Sequence, residues 1–374
     1  MNNKIYLDNN AATKLDEEVL KVIINEIHPS NPSSLHFFGK RAKKLLLESK
    51  IKIASFLKVK PDNLIFTSGG TEAVNMAIKG LINPFSDNHI IATKIDHACV
   101  YNMLKYLERL GCKISWVEVD KYGAITPNQI LENIKENTKL IVISAVNSET
   151  GVKTNLEQIA KIAKENNIYL AVDGVALLGK EFFTIHKGIS TMAFSSHKIH
   201  GPQGVGLCYV NSKINLTPLL YGGPQENEKR AGTENLSGIL GFAKAIDLLN
   251  IYLPKASIEM LNLRNYFEST LLKELKNISI NGLGSRICNT SNICFEEIDA
   301  ETLLILLDQN GILASHGSAC SSGLITPSRT LLNMQIDPKK VRSSIRFSFS
   351  RYTTREEINK ALMIIIKLVK KLKK

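Results

Sequence analysis

The sequence predicts an α/β fold: a mostly parallel seven-stranded sheet with helices on both faces, and a smaller α+β domain beside it. Three observations carry this expectation. Between roughly residues 60 and 210, strand-like and helix-like segments alternate, as they do where parallel strands are joined by crossover helices. After about residue 253 the pattern changes to long helices with isolated strands. The 374 residues, 44% apolar and 22% charged, suffice for one large and one smaller domain with a full core. The expected division is a large domain over 16–252 and a small domain made of 1–15 with 253–374.

Seven apolar runs read as the strands of the large domain: 63–67, 90–94, 114–119, 140–145, 169–172, 191–194 and 205–210. Segments 72–81, 100–110, 127–136 and 155–165 read as helices. In the second region, 257–275 reads as a long helix, 291–295 and 344–349 as strands, and 300–309 as a helix. Thr353-Thr354-Arg355-Glu356-Glu357 has the form of a capping box. The apolar stripe Ile358, Leu362, Ile365, Ile366, Val369 and Leu372 then marks the last helix. The short run Ile5-Tyr6-Leu7 is expected to lie near the small domain.

The formal charge of +12, from 47 basic and 35 acidic residues, is spread along the chain. Only the C-terminus gathers lysines, at 367, 370, 371, 373 and 374. Neither an aromatic platform nor a nucleic-acid-binding motif accompanies them, so a solvated basic face is expected rather than a nucleic-acid surface. Attraction to an acidic protein partner stays open. The six cysteines form no CxxC pair and show no metal-ligand spacing. Asp8 and Asn9 arrive too early for a signal peptide. The apolar run 361–366 is too short to span a bilayer. A cytoplasmic location with free thiols and no membrane partner is the simplest expectation.

The most informative stretch is Phe194-Ser195-Ser196-His197-Lys198-Ile199-His200-Gly201-Pro202. It sets one lysine between an apolar run and a glycine-bearing loop. About 25 residues upstream, Ile168–Val172 runs into Asp173, one strand–crossover–strand step away. A lysine and an aspartate at neighbouring strand ends are what pyridoxal phosphate (PLP) requires. The lysine forms a Schiff base, and the carboxylate keeps the ring nitrogen protonated so that the ring acts as an electron sink. Alone, Asp173 reads first as a helix N-cap and Lys198 as a surface lysine; their order and surroundings reverse that and favour the pair.

Four further segments contribute. Thr67-Ser68-Gly69-Gly70-Thr71-Glu72 opens a helix after a strand. Its unpaired N–H groups and its hydroxyls suit a phosphate, although an ordinary N-cap has the same form. His97 at a strand end suits ring stacking and proton transfer as well as a structural role. Asn147, in Asn147-Ser148-Glu149-Thr150-Gly151, reads first as a turn residue. It is also a candidate donor to a ring hydroxyl. Arg346 offers a bidentate clamp for a carboxylate, with an ion pair as the plainer reading.

Cys320 lies in the small, polar, glycine-flanked run Ser315–Gly323. Such a loop presents an accessible thiol, and its thiolate is the nucleophile. His316 is placed to assist its deprotonation, unless it simply faces solvent.

Taken together, these motifs resemble the cysteine desulfurases, the PLP enzymes of iron–sulfur cluster assembly, and most of all the branch with a long catalytic loop. The resemblance covers nearly the whole chain. It includes Tyr6–Thr13, Asn31–His36, Gly39, Thr67–Asn75, Asn147–Gly151, Asp173, Ser195–Lys198 and Gly201-Pro202. It continues through Gly222–Glu226, Arg230–Asn235, Thr290–Ile293, Gly317–Gly323 and Arg342–Thr354.

The resemblance implies the aspartate-aminotransferase-like fold (fold type I) and a homodimer. It implies that Lys198 holds PLP, Asp173 pairs with the ring nitrogen, and His97 stacks on the ring and relays protons. Gly70, Thr71, Ser195 and His197 would seat the phosphate, with Thr233 reaching the phosphate in the partner subunit. Asn147 would touch the ring hydroxyl and substrate, and Arg346 would hold the carboxylate of L-cysteine. Cys320 would take the substrate sulfur, leave alanine, and pass the sulfur to an acceptor or scaffold protein.

One position departs from the family. The usual Asp-x-x-Gln, whose glutamine donates to the ring hydroxyl, is Asp173-Gly174-Val175-Ala176 here. The alternatives are a selenocysteine lyase or another PLP activity on the same fold, or a dimeric scaffold of reduced activity. A thiol-bearing loop argues against transamination.

Overall fold

The computed structural model describes residues 4–26, 31–317 and 327–373. In chain order the strands are β1 (Ile5–Tyr6), β2 (Leu64–Thr67), β3 (His89–Thr93), β4 (Lys113–Val117), β5 (Thr138–Ser144) and β6 (Tyr169–Asp173). They continue with β7 (Thr191–Ser195), β8 (Gly206–Val210), β9 (Ile278–Ile280), β10 (Thr290–Phe295), β11 (Ile312–Leu313) and β12 (Ser344–Ser348). Seven of them form one sheet in the order β2-β8-β7-β6-β5-β3-β4. Five neighbouring strands run parallel, and β8 runs antiparallel to both β2 and β7.

The near-continuous apolar character of these strands follows from burial on both faces. Side chains alternate along a strand. Ile91, Ile141, Ile143, Leu170, Val172, Met192 and Phe194 therefore join one core, which includes Ile159 and Ala163 of helix Leu156–Glu165. Ile90, Leu140, Val142, Ala171 and Ala193 point the other way. They meet helices Gly70–Lys79 and Ala98–Arg109.

A second core forms around Phe267, Phe295, Phe347, Phe349 and Ile365. It lies between the antiparallel sheet β12-β10-β9 and helices Ala300–Gln309 and Arg355–Leu372. Thr354 accepts from Glu357 N, and the Glu357 side chain accepts from Thr354 N at 2.8 Å, so the capping box of the last helix forms. The N-terminal run pairs with this region: β1 is parallel to β11, with Ile5 opposite Ile312.

Three helices depart from the sequence expectation. Helices Glu17–Asn25 and Phe37–Leu57 lie ahead of the first expected strand, and both pack on the long helix. That long helix begins not near 257 but at Leu236 and runs to Glu274, across the expected domain boundary. The Asn235 side chain caps its start by accepting from Gly238 N. Pro254 is tolerated because it lies on the exposed face, where the Asn250 carbonyl that it deprives of a donor belongs to an exposed residue. By length and apolar content this helix suffices to cross a membrane, but 67% of its most apolar window is buried inside the protein. It is a core helix here.

Candidate active site

A cavity opens beyond the carboxyl ends of the parallel strands, where ligands of such sheets collect. Gly70 and Thr71 reach it from the turn after β2, His97 from the turn after β3, and Asn147 from the turn after β5. Asp173 ends β6, and Ser195 ends β7, followed by His197 and Lys198. Arg346 enters from β12, and Asn9–Ala11 close the remaining side. Nine of the residues singled out from sequence thus share one cavity. Thr233 does not line it and is exposed. Cys320, with the rest of 318–326, lies outside the described residues.

Asp173 is buried, and its Oδ1 accepts from Val175 N at 3.0 Å. Burial pushes its carboxyl up; the charges of His97 and Lys198 and the Val175 hydrogen bond pull it back. Such a carboxylate gains from a cation placed against it. Lys198 sits in a single 3-10 turn, Ser196–Lys198, and its Nζ donates to the carbonyls of Asn10 at 2.5 Å and Ala11 at 2.8 Å. His97 caps helix Ala98–Arg109, its Nδ1 accepting from Cys99 N at 3.2 Å. That contact gives the neutral form of the ring its proton on Nε2. The Cys99 thiol lies 3.0 Å from the same Nδ1.

The other end of the cavity suits an anion. The N–H groups at the start of helix Gly70–Lys79 lack intrahelical partners. A Cβ at Gly70 would stand 2.9 Å from Val175 Cγ2 and 3.3 Å from Ser195 Cβ, so any larger residue fills the seat. At Gly206 a Cβ would come within 2.4 Å of the Gly69 backbone, so β8 presses directly on this turn. Ser195 Oγ lies 2.9 Å from His197 Nδ1. Burial, and then the Lys198 charge, hold the His197 imidazole down at about 4, so it is neutral at physiological pH. Glu72 braces the turn by accepting from Ser68 N at 2.8 Å and pairing with Arg230 at 2.8 Å.

Arg346 is 2% exposed. Its Nη2 pairs with Asp8 at 2.6 Å and its Nη1 donates to the Ser148 carbonyl at 3.2 Å. Its Nε has no hydrogen-bond partner among the described residues. The ion-pair reading and the carboxylate-clamp reading are therefore compatible: Arg346 is buried and lines the cavity while the half-buried Asp8 holds its Nη2. Asn147 is first of all a turn organiser. Its Oδ1 accepts from Glu149 N, Thr150 N and Thr150 Oγ1, and its Nδ2 donates to the Ile95 carbonyl at 3.0 Å. One N–H remains for a ligand. His316 Nδ1 donates to the Ser344 carbonyl at 2.8 Å, which leaves Nε2 as an acceptor.

Sequence reasoning missed three neighbours. Asp96, buried beside His97, accepts from Thr93 Oγ1 at 2.5 Å and from Ser144 N at 2.8 Å, tying the ends of β3 and β5 together. Asp8 pairs with Arg346, and Lys180 lines the cavity together with Ala176. Asp96 and Asp8 stand inside motifs read for other residues, so their position was visible but not their partners. Lys180 carried no signal of its own, because a lysine after a loop reads as solvent-exposed.

A lysine and a buried carboxylate at adjacent strand ends, with an anion seat at a helix N-terminus, define a PLP enzyme of the aspartate-aminotransferase type. The residues present fit that cofactor at three of its polar points: phosphate, ring nitrogen and aldehyde.

A family model described as Aminotransferase class-V matches residues 5–361. Cysteine desulfurase IscS of Dictyoglomus turgidum (strain DSM 6724 / Z-1310) is 37% identical over 380 residues, which span 100% of this chain and 96% of that protein. The protein of that name from Methanosarcina thermophila is 35% identical over 378 residues, covering 100% of this chain and 93% of its own length. The solved structure of a NifS-like protein from Rickettsia africae ESF-5 matches with a TM-score of 0.88 at 30% identity, covering 98% of this chain and 99% of that one. Another NifS-like protein matches at 0.91 with 32% identity, and 98% and 99% are covered. This chain belongs to the class-V aminotransferase family.

Proposed function

We propose that this protein is a PLP-dependent cysteine desulfurase that converts L-cysteine to L-alanine and retains the sulfur as a persulfide on Cys320. One observation carries the reading: Lys198, Asp173, His97 and Arg346 converge on one cavity with an anion seat at its far end. The full-length similarity to cysteine desulfurases supports the choice of substrate.

When bound, PLP supplies the electron sink that makes the substrate C–S bond breakable. The residues of the chain do the rest. Lys198 offers the amine that attaches the cofactor. Asp173 holds the ring nitrogen's proton, and Thr71, Ser195, His197 and the helix N-terminus bind the phosphate. His97, with its proton on Nε2, is the group placed to move a proton at the substrate carbon. Arg346 orients the carboxylate, helped by the fixed direction that Asp8 gives its guanidinium. The Cys320 thiolate attacks the substrate sulfur. The new S–S bond forms as the C–S bond breaks, and the carbon takes a proton to become alanine.

The wider reading has four parts. Segments 16–252 and 1–15 with 253–374 act as large and small domains, supported by the core around Phe267 and Phe347, which draws only on 1–15 and 253–374. The exposed Thr233 reaches the phosphate of a second copy in a homodimer. The sulfur passes to an acceptor or scaffold protein in the cytoplasm. Neither nucleic acid nor a membrane takes part.

The test is alanine and sulfide release from L-cysteine with a reductant present. The wild type should release both, and Cys320→Ala should lose at least nine-tenths of the rate (a tenfold loss, ~1.4 kcal/mol). A Cys320→Ala protein with wild-type rates contradicts the assignment.

A further inference from the structure

Lys180 is a charged cavity residue whose chemistry the proposed reaction does not use. It is 4% exposed, a rare situation for a lysine. The turn from Gly174 to Lys180 folds back beneath Lys198. Gly179 makes this possible with φ +74, and a Cβ there would stand 2.6 Å from Ile199 Cγ2. The result is that Lys180 Nζ donates to the Lys198 carbonyl at 3.0 Å. Ala176, on the same turn, ends at a methyl group and lines the cavity beside it.

We propose that Lys180 is a positioning residue for Lys198: it pins the Lys198 peptide and sets a second positive charge in the cavity that holds the Lys198 amine, biasing that amine toward its uncharged, nucleophilic form. This deepens the cofactor reading above and rests on it. Capture of the cofactor aldehyde needs a neutral amine. The amine nitrogen bonds to the aldehyde carbon, and water leaves with both amine protons.

The charges around the pair support the bias. Burial pushes Lys180 down to about 8; Lys198 and Arg351 push it in the same direction, and the Cys288 thiol opposes them. His200, next along the chain from Ile199, is itself held down at about 3 by burial and then by the Lys180 charge. His197 is likewise neutral, and Asp173 from β6 supplies the opposing negative charge. Lys180 and Lys198 line the same cavity and act on each other electrostatically, so they titrate as a coupled pair, and the first proton leaves more readily than from an isolated lysine. Both lysines line the cavity, and Lys198 is the one that the proposed function assigns to the aldehyde.

The test mixes cofactor-free protein with PLP and follows the rate of the imine absorbance from about pH 6 to 9.5, a range that brackets the lowered lysine values. Lys180→Gln keeps a donor for the carbonyl and removes the charge; Lys180→Arg keeps both. Lys180→Gln should capture PLP about tenfold more slowly at neutral pH, with the midpoint moved up by about one unit, while Lys180→Arg stays within about twofold of wild type. An unchanged midpoint and rate in Lys180→Gln overturn the proposal. Failure of the wild type to capture PLP overturns the cofactor reading itself.

A second measurement needs no variant. Amine-selective labelling of the wild type, read at Lys198 by mass spectrometry across pH, should show a midpoint well below the ordinary lysine value of about 10.4. An ordinary midpoint overturns the proposal even if a variant fails to fold.

Discussion

Replacing Asp173 by Asn should move stability and cofactor affinity in opposite directions. In the cofactor-free protein, burial raises the Asp173 carboxyl above its usual value. The sign follows from linkage. A carboxyl raised in the fold carries no penalty below the unfolded value near 3.9, and the penalty accrues as pH rises toward the folded value. At neutral pH a neutral amide escapes that penalty, so the cofactor-free Asp173→Asn protein should melt higher than wild type.

With the cofactor bound the balance reverses. Val175 N pins Oδ1 at 3.0 Å, so the amide NH2 takes the place of the second carboxylate oxygen. A donor then faces the protonated ring nitrogen, which is also a donor. A charge-assisted hydrogen bond contributes about 1.5–3 kcal/mol, which corresponds to roughly 10–150-fold weaker PLP binding. Thermal unfolding without cofactor and PLP titration by absorbance read the two effects separately. Equal PLP affinity in both proteins, or a lower melting point for the cofactor-free variant, would refute the reasoning.

Three shorter predictions follow from the cavity and its surroundings. Ala176→Gln should restore a donor to the ring hydroxyl and raise the desulfuration rate by about fivefold, the worth of one ~1 kcal/mol hydrogen bond; an unchanged or lower rate counts against it. Arg346→Lys loses the planar fork, so KM for L-cysteine should rise about tenfold or more while kcat changes less; steady-state kinetics decide. His200 is held down at about 3 in the fold, and its Nδ1 donates to the Lys14 carbonyl at 2.8 Å. The stability it contributes is therefore present above its unfolded value near 6.5 and is lost as pH falls toward 3. Its φ of +67 suits asparagine. In urea unfolding between about pH 6.5 and 5, His200→Asn should lose less stability per pH unit than wild type, by up to about 1.4 kcal/mol.

The large sheet was legible because its strands are buried on both faces and so read as continuous apolar runs between helical stretches. The start of helix Leu236–Glu274 was not. Gly238 and Gly241 depress helix propensity there, and burial against the neighbouring helices overrides it. At the site, Lys198 and Asp173 were legible because their positions at strand ends follow from the alternation. Asn147 shows the limit: the segment reads as a turn, the side chain is mostly spent on that turn, and the residue still reaches the cavity. Lys180 was invisible because its burial depends on a left-handed glycine folding one turn beneath another.

The most direct measurement of the central claim is a single turnover with stoichiometric L-cysteine, with alanine quantified and the Cys320 peptide analysed by mass spectrometry. The account predicts one alanine per active site and a gain of one sulfur atom on Cys320. Alanine formed without sulfur on Cys320, or no alanine from protein loaded with PLP, contradicts it.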